Sequence, residues 1–336
     1  MKILYCVQLT GNGHVTRANE LIPEFKKVAS VDVLTSGNQN SLEIKEKVNF
    51  KLRGLSFVFG SQGGVDIFKT IFNLRPFTFF KDVLKIQVRN YDLIINDFEP
   101  VSAWACKLRG VPCYSMSRQF SLLQKNIFNK EKPKLYELLI LKYFAPSKSG
   151  IGFDYKKNNS NNFYPVIKSD IKRKKVINKN HYTIYLPSFS VEIIFNFFSS
   201  FDEVMWHVFS PKISKSFKKN NLSFFPIDYK VFEQSILSCE GIISNAGFET
   251  TSEALYLNKK LLIIPMKNQF EQNYNASILS DMGVTSLPDL KPKRLHNVKE
   301  WILSKKSVKV NYDYNYKSIV EKTLLDFKKI SKKKPI

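Results

Sequence analysis

The chain has 336 residues, of which 43% are hydrophobic and 24% are charged, a composition typical of a globular protein large enough for two domains. Its formal net charge of +23 predicts attraction to polyanions, although a chain made rich in Lys and Asn by the base composition of its genome would have the same excess. No recognised nucleic-acid-binding module accompanies the charge, which argues against nucleic acid as the partner. No apolar run approaches the ~20 residues of a membrane span, the amino terminus is unlike a signal peptide, and the four cysteines have neither paired nor metal-ligand spacing, so we expect a cytoplasmic protein.

The first half of the sequence alternates strand-like apolar runs with helical patterns. An apolar run at 2–9 is followed by a Gly-rich turn and then by a helical spacing. Further strands are predicted at 31–34, 50–55, 91–97 and 110–115, and helices at 65–90, with an interruption at Pro76, and at 103–108. This alternation predicts an α/β domain with a doubly wound parallel sheet.

The second half repeats this alternation after a change in composition. The segment 154–180 is rich in Asn, Lys and Ser and has no hydrophobic period, which indicates a connection between domains. Strands are then predicted at 182–186, 203–209 and 222–225, and helices at 191–198 and 229–238. We therefore predict an N-terminal domain at 1–165, a linker at 166–180, a C-terminal domain at 181–315, and a C-terminal helix with a basic tail at 316–336.

The most informative stretch is a strand, a turn and a helix around Gly247. The apolar run 241–243 predicts a buried strand, and a turn of small residues then opens a helical pattern. Unpaired N–H groups at a helix start favour phosphate, and a glycine there lets a ligand approach closely. Glu249 and Glu253 are four residues apart on one face of this helix, where a carboxylate can accept hydrogen bonds from the two hydroxyls of a ribose. The stretch predicts a nucleotide-sugar site.

This stretch resembles the donor-site signature of UDP-sugar glycosyltransferases of the GT-B fold, the group that contains the bacterial peptidoglycan-precursor N-acetylglucosaminyltransferase and the plant UDP-glycosyltransferases. Those proteins have a glycine with a glutamate six positions later, here Gly247 and Glu253, and then a strand that ends in proline, here Pro265. An acidic-Gln-x-x-Asn-Ala box follows, here 271–276. The resemblance implies two Rossmann-like doubly wound parallel-sheet domains facing a cleft, with a UDP-sugar as co-substrate and no further cofactor.

The resemblance also implies roles for individual residues in donor binding. Glu253 would hold the ribose, and Glu271 and Gln272 would hold hydroxyls of the transferred sugar, although acidic and amide residues are also ordinary in a first helical turn. Plant members carry histidine where this chain has Asn245, whose neutral amide could donate to phosphate without adding charge. Glu249 is interpreted as a solvated helix residue. The predicted donor site consists of Gly13, Asn245, Ala246, Gly247, Thr250, Glu253, Glu271 and Gln272.

The turn Gly11-Asn12-Gly13-His14 follows the first predicted strand. It fails as a dinucleotide fingerprint, because the third glycine and the acidic residue after the second strand are missing. In the family that the sequence resembles, the corresponding histidine removes the proton of the acceptor hydroxyl. We therefore predict that His14 is a general base and that Asp97, at the end of another strand of the sheet, orients it. The alternatives are a histidine that only anchors phosphate and an aspartate that caps a helix.

Apolar side chains alternate with basic ones in two further stretches of the first domain. The first contains Phe68, Ile71, Phe72, Phe77, Phe79, Phe80 and Leu84 beside Lys69, Arg75, Lys81 and Lys85, and the second covers 120–144. Apolar stripes more often form core, and the alternative is a face that lies on an anionic bilayer, to which the C-terminal lysines between 328 and 334 would add. Ser117, Arg118 and Gln119 follow a strand end and are candidates for the acceptor side.

We therefore predict an inverting, UDP-sugar-dependent hexosyltransferase that needs no metal, since the sequence has no Asp-x-Asp cluster. Backbone N–H groups at the helix starts after Asn12 and Ala246 would stabilise the leaving diphosphate. The expected acceptors are a cell-envelope glycan, a lipid-linked acceptor or a secondary metabolite, with a peripheral location on the inner face of the cell membrane. The alternatives are a UDP-N-acetylglucosamine 2-epimerase-like isomerase and a non-catalytic nucleotide-sugar-binding subunit.

Overall fold

The computed structural model describes residues 1–39, 42–55, 76–123, 131–157, 159–312 and 315–332. These residues form two compact units. Unit 1 contains the described residues up to 168 together with 315–332, and unit 2 contains 169–312. The chain passes from one unit to the other inside the segment 166–180, and that segment is partly ordered on unit 2, where Ile171 is buried and the backbone N–H of Lys179 donates to the carbonyl of Ser238.

Unit 1 is built on a parallel sheet of seven strands in the order β3-β2-β1-β4-β5-β6-β7, with every pair parallel. The strands are β1 (Lys2–Thr10), β2 (Ser30–Gln39), β3 (Phe50–Leu52), β4 (Leu93–Asp97), β5 (Cys113–Ser117), β6 (Ser149–Phe153) and β7 (Asn162–Phe163). The strand order reverses between β1 and β4. In a doubly wound sheet this reversal opens a crevice at the carboxyl ends of the strands, and ligands bind there.

The described helices of unit 1 are α1 (Asn12–Lys26), α2 (Pro76–Lys85), α3 (Pro100–Arg109), α4 (Arg118–Leu122), α5 (Leu135–Tyr143) and the last helix, α12 (Tyr316–Lys332). The last helix packs against α1, and the Tyr114 hydroxyl donates to Asp326 Oδ2 over 2.8 Å. The strands bury Leu4, Cys6 and Ile94 in a core that the helices cover. The predicted helical stretch 65–75 lies outside the described residues.

Unit 2 is built on a second seven-stranded sheet, ordered β10-β11-β9-β8-β12-β13-β14, in which only the β10–β11 pair is antiparallel. Its strands are β8 (His181–Tyr185), β9 (Met205–Phe209), β10 (Phe217–Lys219), β11 (Leu222–Phe225), β12 (Gly241–Ser244), β13 (Lys260–Ile263) and β14 (Thr285–Ser286). Its helices are α6 (Ser169–Arg173), α7 (Val191–Phe198), α8 (Tyr229–Ser238), α9 (Phe248–Tyr256), α10 (Phe270–Asp281) and α11 (Leu295–Leu303). Here the strand order reverses between β8 and β12.

The core of unit 2 combines aliphatic side chains with a cluster of aromatic rings. Trp206 is fully buried and lies against the rings of Tyr182 and Phe198, with centroids 5.4 and 4.8 Å away. Trp301 of α11 adds a ring 5.2 Å from Tyr182. Rings of this size bury large apolar areas and contribute strongly to the stability of the core.

The four cysteines, Cys6, Cys106, Cys113 and Cys239, are all buried free thiols. Among the helices that the structure describes, none has both the length and the apolar character that crossing a bilayer requires.

Candidate active site

The carboxyl ends of β1 and β4 bring His14 and Asp97 together. The chain leaves β1 through Gly11, whose φ of 93° lies in the region that favours glycine, and α1 starts at the next residue. His14 therefore lies in the first turn of α1. Asp97 is the last residue of β4 and is in register with Val7 of β1, so both side chains lie where the strand order reverses.

The contacts at this point involve three buried side chains. His14 Nδ1 is 2.7 Å from Asp97 Oδ1. Arg17 Nε donates to Asp97 Oδ2 over 2.8 Å, and Arg17 Nη2 donates to Asp97 Oδ1 over 2.9 Å. The exposed fractions of His14, Asp97 and Arg17 are 7%, 0% and 3%. The structure thus places the predicted base beside its predicted partner, and it adds an arginine that the sequence analysis did not single out.

Asp97 is ionised in this setting. Burial by itself would raise the pKa of Asp97, but the Arg17 guanidinium and then His14 outweigh burial and hold the pKa below its usual value. A carboxylate that accepts charge-assisted hydrogen bonds on both oxygens is also fixed in direction. Asp97 can therefore hold the imidazole of His14 in one orientation.

The turn after β4 explains how Asp97 is positioned. Phe98 adopts a φ of 54°, which is strained for a residue with a side chain, and this sharp bend separates the strand from α3. Glu99 is the N-cap of α3, and its carboxylate accepts from the backbone N–H groups of Val101 and Ser102 over 2.8 and 2.6 Å. The capping role considered for Asp97 is therefore performed by Glu99, which leaves Asp97 directed at His14.

An aromatic ring lies beside the imidazole of His14. The ring of Phe98 is parallel to that of His14, with centroids 6.5 Å apart. A small cavity beside it is lined by Phe98, Ser117, Gln119 and Phe120 among other residues. Arg118, considered for the acceptor side, is instead almost fully buried and donates to the carbonyl of Phe153 over 2.7 Å, so its contacts are those of a structural residue.

In unit 2 the predicted donor turn follows β12. Asn245 is 3% exposed, and its amide nitrogen donates to the carbonyl of Ile264 over 2.6 Å, while its amide oxygen accepts from Ser188 Oγ over 3.1 Å. One of the two amide hydrogens of Asn245 is therefore already used within the fold. Ser188 follows β8, so this contact spans the point where the strand order of unit 2 reverses.

The acidic-Gln-x-x-Asn-Ala box holds this turn in place. Gln272 Oε1 accepts from the backbone N–H of Ala246 over 3.2 Å and from that of Met266 over 2.9 Å. Asn275 Nδ2 donates to the carbonyl of Ala246 over 2.8 Å. Gln272 and Asn275 are 6% and 0% exposed. The box therefore forms part of the support beneath the donor turn, a contribution that the sequence analysis did not anticipate.

The helix α9 starts at this turn without a side-chain cap on its first amides. Gly247 is its N-cap, and a Cβ added there would contact nothing within 4 Å, so the backbone is open to a ligand. Thr250 and Glu249 are half-buried in the first turn, and Glu271 is half-buried at the start of α10. An uncapped helix start of this kind favours an anion.

Glu253 is one turn further along α9 and is 4% exposed. It lies close enough to α8 for its charge to act on Tyr229, whose pKa is raised by burial, by Glu233 and then by Glu253. The Tyr229 side chain is therefore within electrostatic reach of the Glu253 carboxylate. Within the described part of the chain, no group of three or more His, Cys, Asp or Glu side chains could hold a metal ion.

The chain is similar to known glycosyltransferases in family and in fold. The family model of glycosyl transferase family 1 matches residues 1–303. No curated protein matches the chain in sequence. Among solved structures, the spinosyn forosaminyltransferase is 12% identical, with a TM-score of 0.58 over 99% of this chain and 95% of that one.

Two further solved structures have the same fold. The MurG protein of Acinetobacter baumannii is 13% identical, with a TM-score of 0.56 over 98% of this chain and 99% of that one. A glycosyltransferase of Streptomyces sp. SF2575, complexed with thymidine diphosphate, is 12% identical, with a TM-score of 0.55 over 98% of this chain and 96% of that one. Identities this low show the fold alone. The two mostly parallel sheets, each with helices packed on it, and these neighbours confirm the predicted GT-B fold. With its family model spanning residues 1–303, the chain belongs to glycosyltransferase family 1.

Proposed function

We propose that the chain moves a hexosyl group from a UDP-sugar to an acceptor hydroxyl, with inversion at the anomeric carbon and without a metal ion. The observation that carries this proposal is the buried contact between His14 and Asp97 at the strand-order reversal of unit 1. A histidine that a carboxylate orients can accept a proton near neutral pH. The family match supports glycosyl transfer as the reaction in which this base acts.

In the proposed reaction, the proton of the acceptor hydroxyl moves to His14 Nε2 while the acceptor oxygen bonds to the anomeric carbon. The bond from that carbon to the diphosphate breaks, and UDP leaves with the electron pair. The uncapped amides at the start of α9 would donate to the diphosphate oxygens. One displacement from the opposite side inverts the anomeric configuration.

Replacing the base tests this proposal directly. We expect His14→Ala to lower kcat by about 10²- to 10⁴-fold, the usual contribution of a general base, while the donor still binds. His296→Ala is the matched control, because His296 is an exposed histidine of unit 2 and we expect no change there. Turnover of His14→Ala at the rate of the control would contradict the proposal. Incubation with UDP-N-acetylglucosamine and no acceptor separates a transferase from a 2-epimerase, which alone would form a new nucleotide sugar.

The donor assignment rests on the turn before α9 and on Glu253. The Streptomyces structural neighbour was solved with thymidine diphosphate, which supports a nucleotide-diphosphate donor. We expect a matching donor at 100 times its Kd to stabilise the protein by ~2.7 kcal/mol, and a panel of UDP- and dTDP-sugars in thermal shift identifies it. Glu253→Gln should remove most of that shift, whereas Glu249→Gln, one turn earlier on α9, should retain it. Equal shifts in both variants would count against ribose binding by Glu253.

The acceptor proposal, a lipid-linked or cell-envelope glycan, is supported by an exposed apolar face on unit 1 and by a net charge of +23. On α2, Phe77 is 89% exposed and Leu84 is 65% exposed, and Phe80 lies between them beside Lys81 and Lys85. Phe68, Ile71, Phe72, Lys69 and Arg75 lie outside the described residues. We propose that this α2 face contacts an anionic bilayer, where each nearby lysine contributes about 1 kcal/mol.

Vesicle co-sedimentation tests the proposed bilayer contact. We expect binding to vesicles that contain phosphatidylglycerol, weak binding to pure phosphatidylcholine, and release at high salt. Replacing Phe77 and Phe80 with serine should abolish sedimentation. Leu303→Ser, at an exposed leucine of unit 2, is the control and should sediment normally. Sedimentation of the double α2 variant at the control level would refute the contact.

A further inference from the structure

Arg17 lies one helical turn after His14 on α1, and the proposed reaction assigns it no step. Residues three apart on a helix share a face, so both side chains reach Asp97. The guanidinium engages both carboxylate oxygens, with 2.8 Å from Nε to Oδ2 and 2.9 Å from Nη2 to Oδ1. A buried charge is costly unless it is paired with good geometry, and this paired fork accounts for how Arg17 is tolerated at 3% exposure.

The same arginine restricts where the proton of His14 can be. Arg17 Nη2 is 2.9 Å from His14 Nδ1, and that nitrogen is 2.7 Å from Asp97 Oδ1. A guanidinium can only donate and an ionised carboxylate can only accept, so Nδ1 either accepts from Arg17 or donates to Asp97. The contact with Asp97 is the shorter one and is charge-assisted, and Arg17 Nη2 already has Asp97 Oδ1 as an acceptor. Nδ1 therefore carries the proton.

In this tautomer the lone pair of His14 is on Nε2. That nitrogen forms no hydrogen bond to any residue that the structure describes. A neutral imidazole with a free Nε2 is the form that can take a proton from an acceptor hydroxyl. The cluster then has one negative charge on Asp97, one positive charge on Arg17 and none on His14.

Two neighbouring groups that the structure describes leave this balance of charge unchanged. Tyr5 of β1 couples electrostatically to both Asp97 and Arg17, and burial together with the Asp97 charge raises its pKa, so Tyr5 is neutral. Phe153 of β6 presents its ring 5.5 Å from the Arg17 guanidinium. Without Arg17, the described side-chain partner left to Asp97 is His14, and only an imidazolium, which has no lone pair, would compensate the carboxylate charge.

We propose that Arg17 is a positioning residue that compensates the charge of Asp97, so that His14 stays neutral with its proton on Nδ1 and its lone pair on Nε2. The inference rests on the proposed function in that His14 is taken to be the base. The state of the His14 ring can nevertheless be measured without any turnover.

The test is ¹⁵N NMR of the histidine side chains at neutral pH, with His14→Gln to assign the signal among the four histidines of the chain. In the wild type we expect a protonated Nδ1 and an unprotonated Nε2. In Arg17→Met we expect both nitrogens to be protonated. Arg17→Lys restores a positive charge, and we expect its His14 ring to be neutral, as in the wild type. The double variant Arg17→Met with Asp97→Asn removes both buried charges and should also have a neutral ring.

Kinetics provide a second readout that a purely structural role would not move. We expect kcat/KM of Arg17→Met at neutral pH to fall by about 10²-fold, the lower range of a general-base contribution, and to recover as the pH is raised. Arg17→Lys should lose much less. A wild-type ring with the proton on Nε2, or a ring in Arg17→Met that stays neutral, would overturn the inference. If Arg17→Met does not fold, a protonated ring in Arg17→Lys would overturn it equally.

The failure of this inference differs from that of the proposed function. The expected NMR pattern in a protein that transfers no sugar would leave the Arg17 inference intact and reject the proposed function. Sugar transfer that depends on His14, together with a neutral ring in Arg17→Met, would support the proposed function and reject the Arg17 inference.

Discussion

Replacing Gln272 with alanine separates two roles for this residue, contact with the transferred sugar and support of the donor turn. Its amide oxygen accepts from the backbone N–H groups of Ala246 and Met266, and the side chain is 6% exposed. Alanine would leave both N–H groups without this acceptor. A buried donor that loses its acceptor costs about 1–3 kcal/mol.

We therefore expect Gln272→Ala to lower the free energy of unfolding by about 2–4 kcal/mol. Two lost acceptors could cost up to about 6 kcal/mol, and we expect less because water can reach part of the turn. For a domain of 150–250 residues, 1 kcal/mol corresponds to about 2–4 °C in Tm. The expected loss in Tm is thus roughly 4–16 °C, and donor binding should weaken as well, because the uncapped start of α9 follows directly from Ala246.

Thermal unfolding followed by circular dichroism, without any ligand, measures this loss. Asn273→Ala is the matched control, because Asn273 is the next residue of α10 and is half-buried, and we expect its Tm to change little. A Gln272→Ala protein as stable as the control, with donor affinity lost, would refute the structural role and favour direct contact with the sugar.

The remaining predictions concern buried ionisable groups. The rings of His181 and His207 stack with centroids 3.9 Å apart, and burial followed by the charge of its neighbour lowers the pKa of His207 to about 4. Because the folded pKa is below the unfolded value of about 6.5, the unfolded chain binds the proton first, and the free energy of unfolding should fall as the pH is lowered from 6.5 toward 4. In urea unfolding over this pH range the wild type should lose more stability than His207→Gln, and equal losses would contradict the lowered pKa. Asp97→Asn leaves Arg17 buried without its ion pair and should cost about 3–5 kcal/mol in denaturant unfolding, and a change below 1 kcal/mol would contradict the buried pair. Glu99→Ala removes the cap of α3 and should cost about 0.5–2 kcal/mol, whereas retained stability would mean that the cap contributes nothing.

Much of the fold follows from local sequence patterns. Apolar runs separated by helical spacings predict parallel sheets because strands buried on both faces need continuous hydrophobic residues, as β1, β4 and β12 show. The strands β6, β7, β10 and β14 were not predicted. Three of them have only two or three residues, which carry no measurable period and pair only because a neighbouring strand is already in place. The strand β6 has five residues, but two of them are glycines, which weaken a strand pattern.

Some residues of the candidate site were predicted from local sequence patterns, and others were not. The resemblance brings out His14, Gly247 and Glu253 because each belongs to a turn whose spacing is local in the chain. Arg17 and Glu99 were missed, although Arg17 lies three residues after His14 and this helical spacing could have indicated it. Glu99 has no such signal, since an Asp or a Glu after a strand is equally suited to capping and to catalysis.

By itself, the sequence determined that the chain has two α/β domains and that the turns with His14 and Gly247 follow particular strands. These features depend on hydrophobic period and on turn chemistry within about ten residues, and both are written locally in the chain. Only the tertiary structure decided which charges meet. Arg17 and Asp97 are 80 residues apart, and Gln272 is 26 residues from Ala246, and no local pattern records a contact that forms when two distant segments are packed against the same sheet.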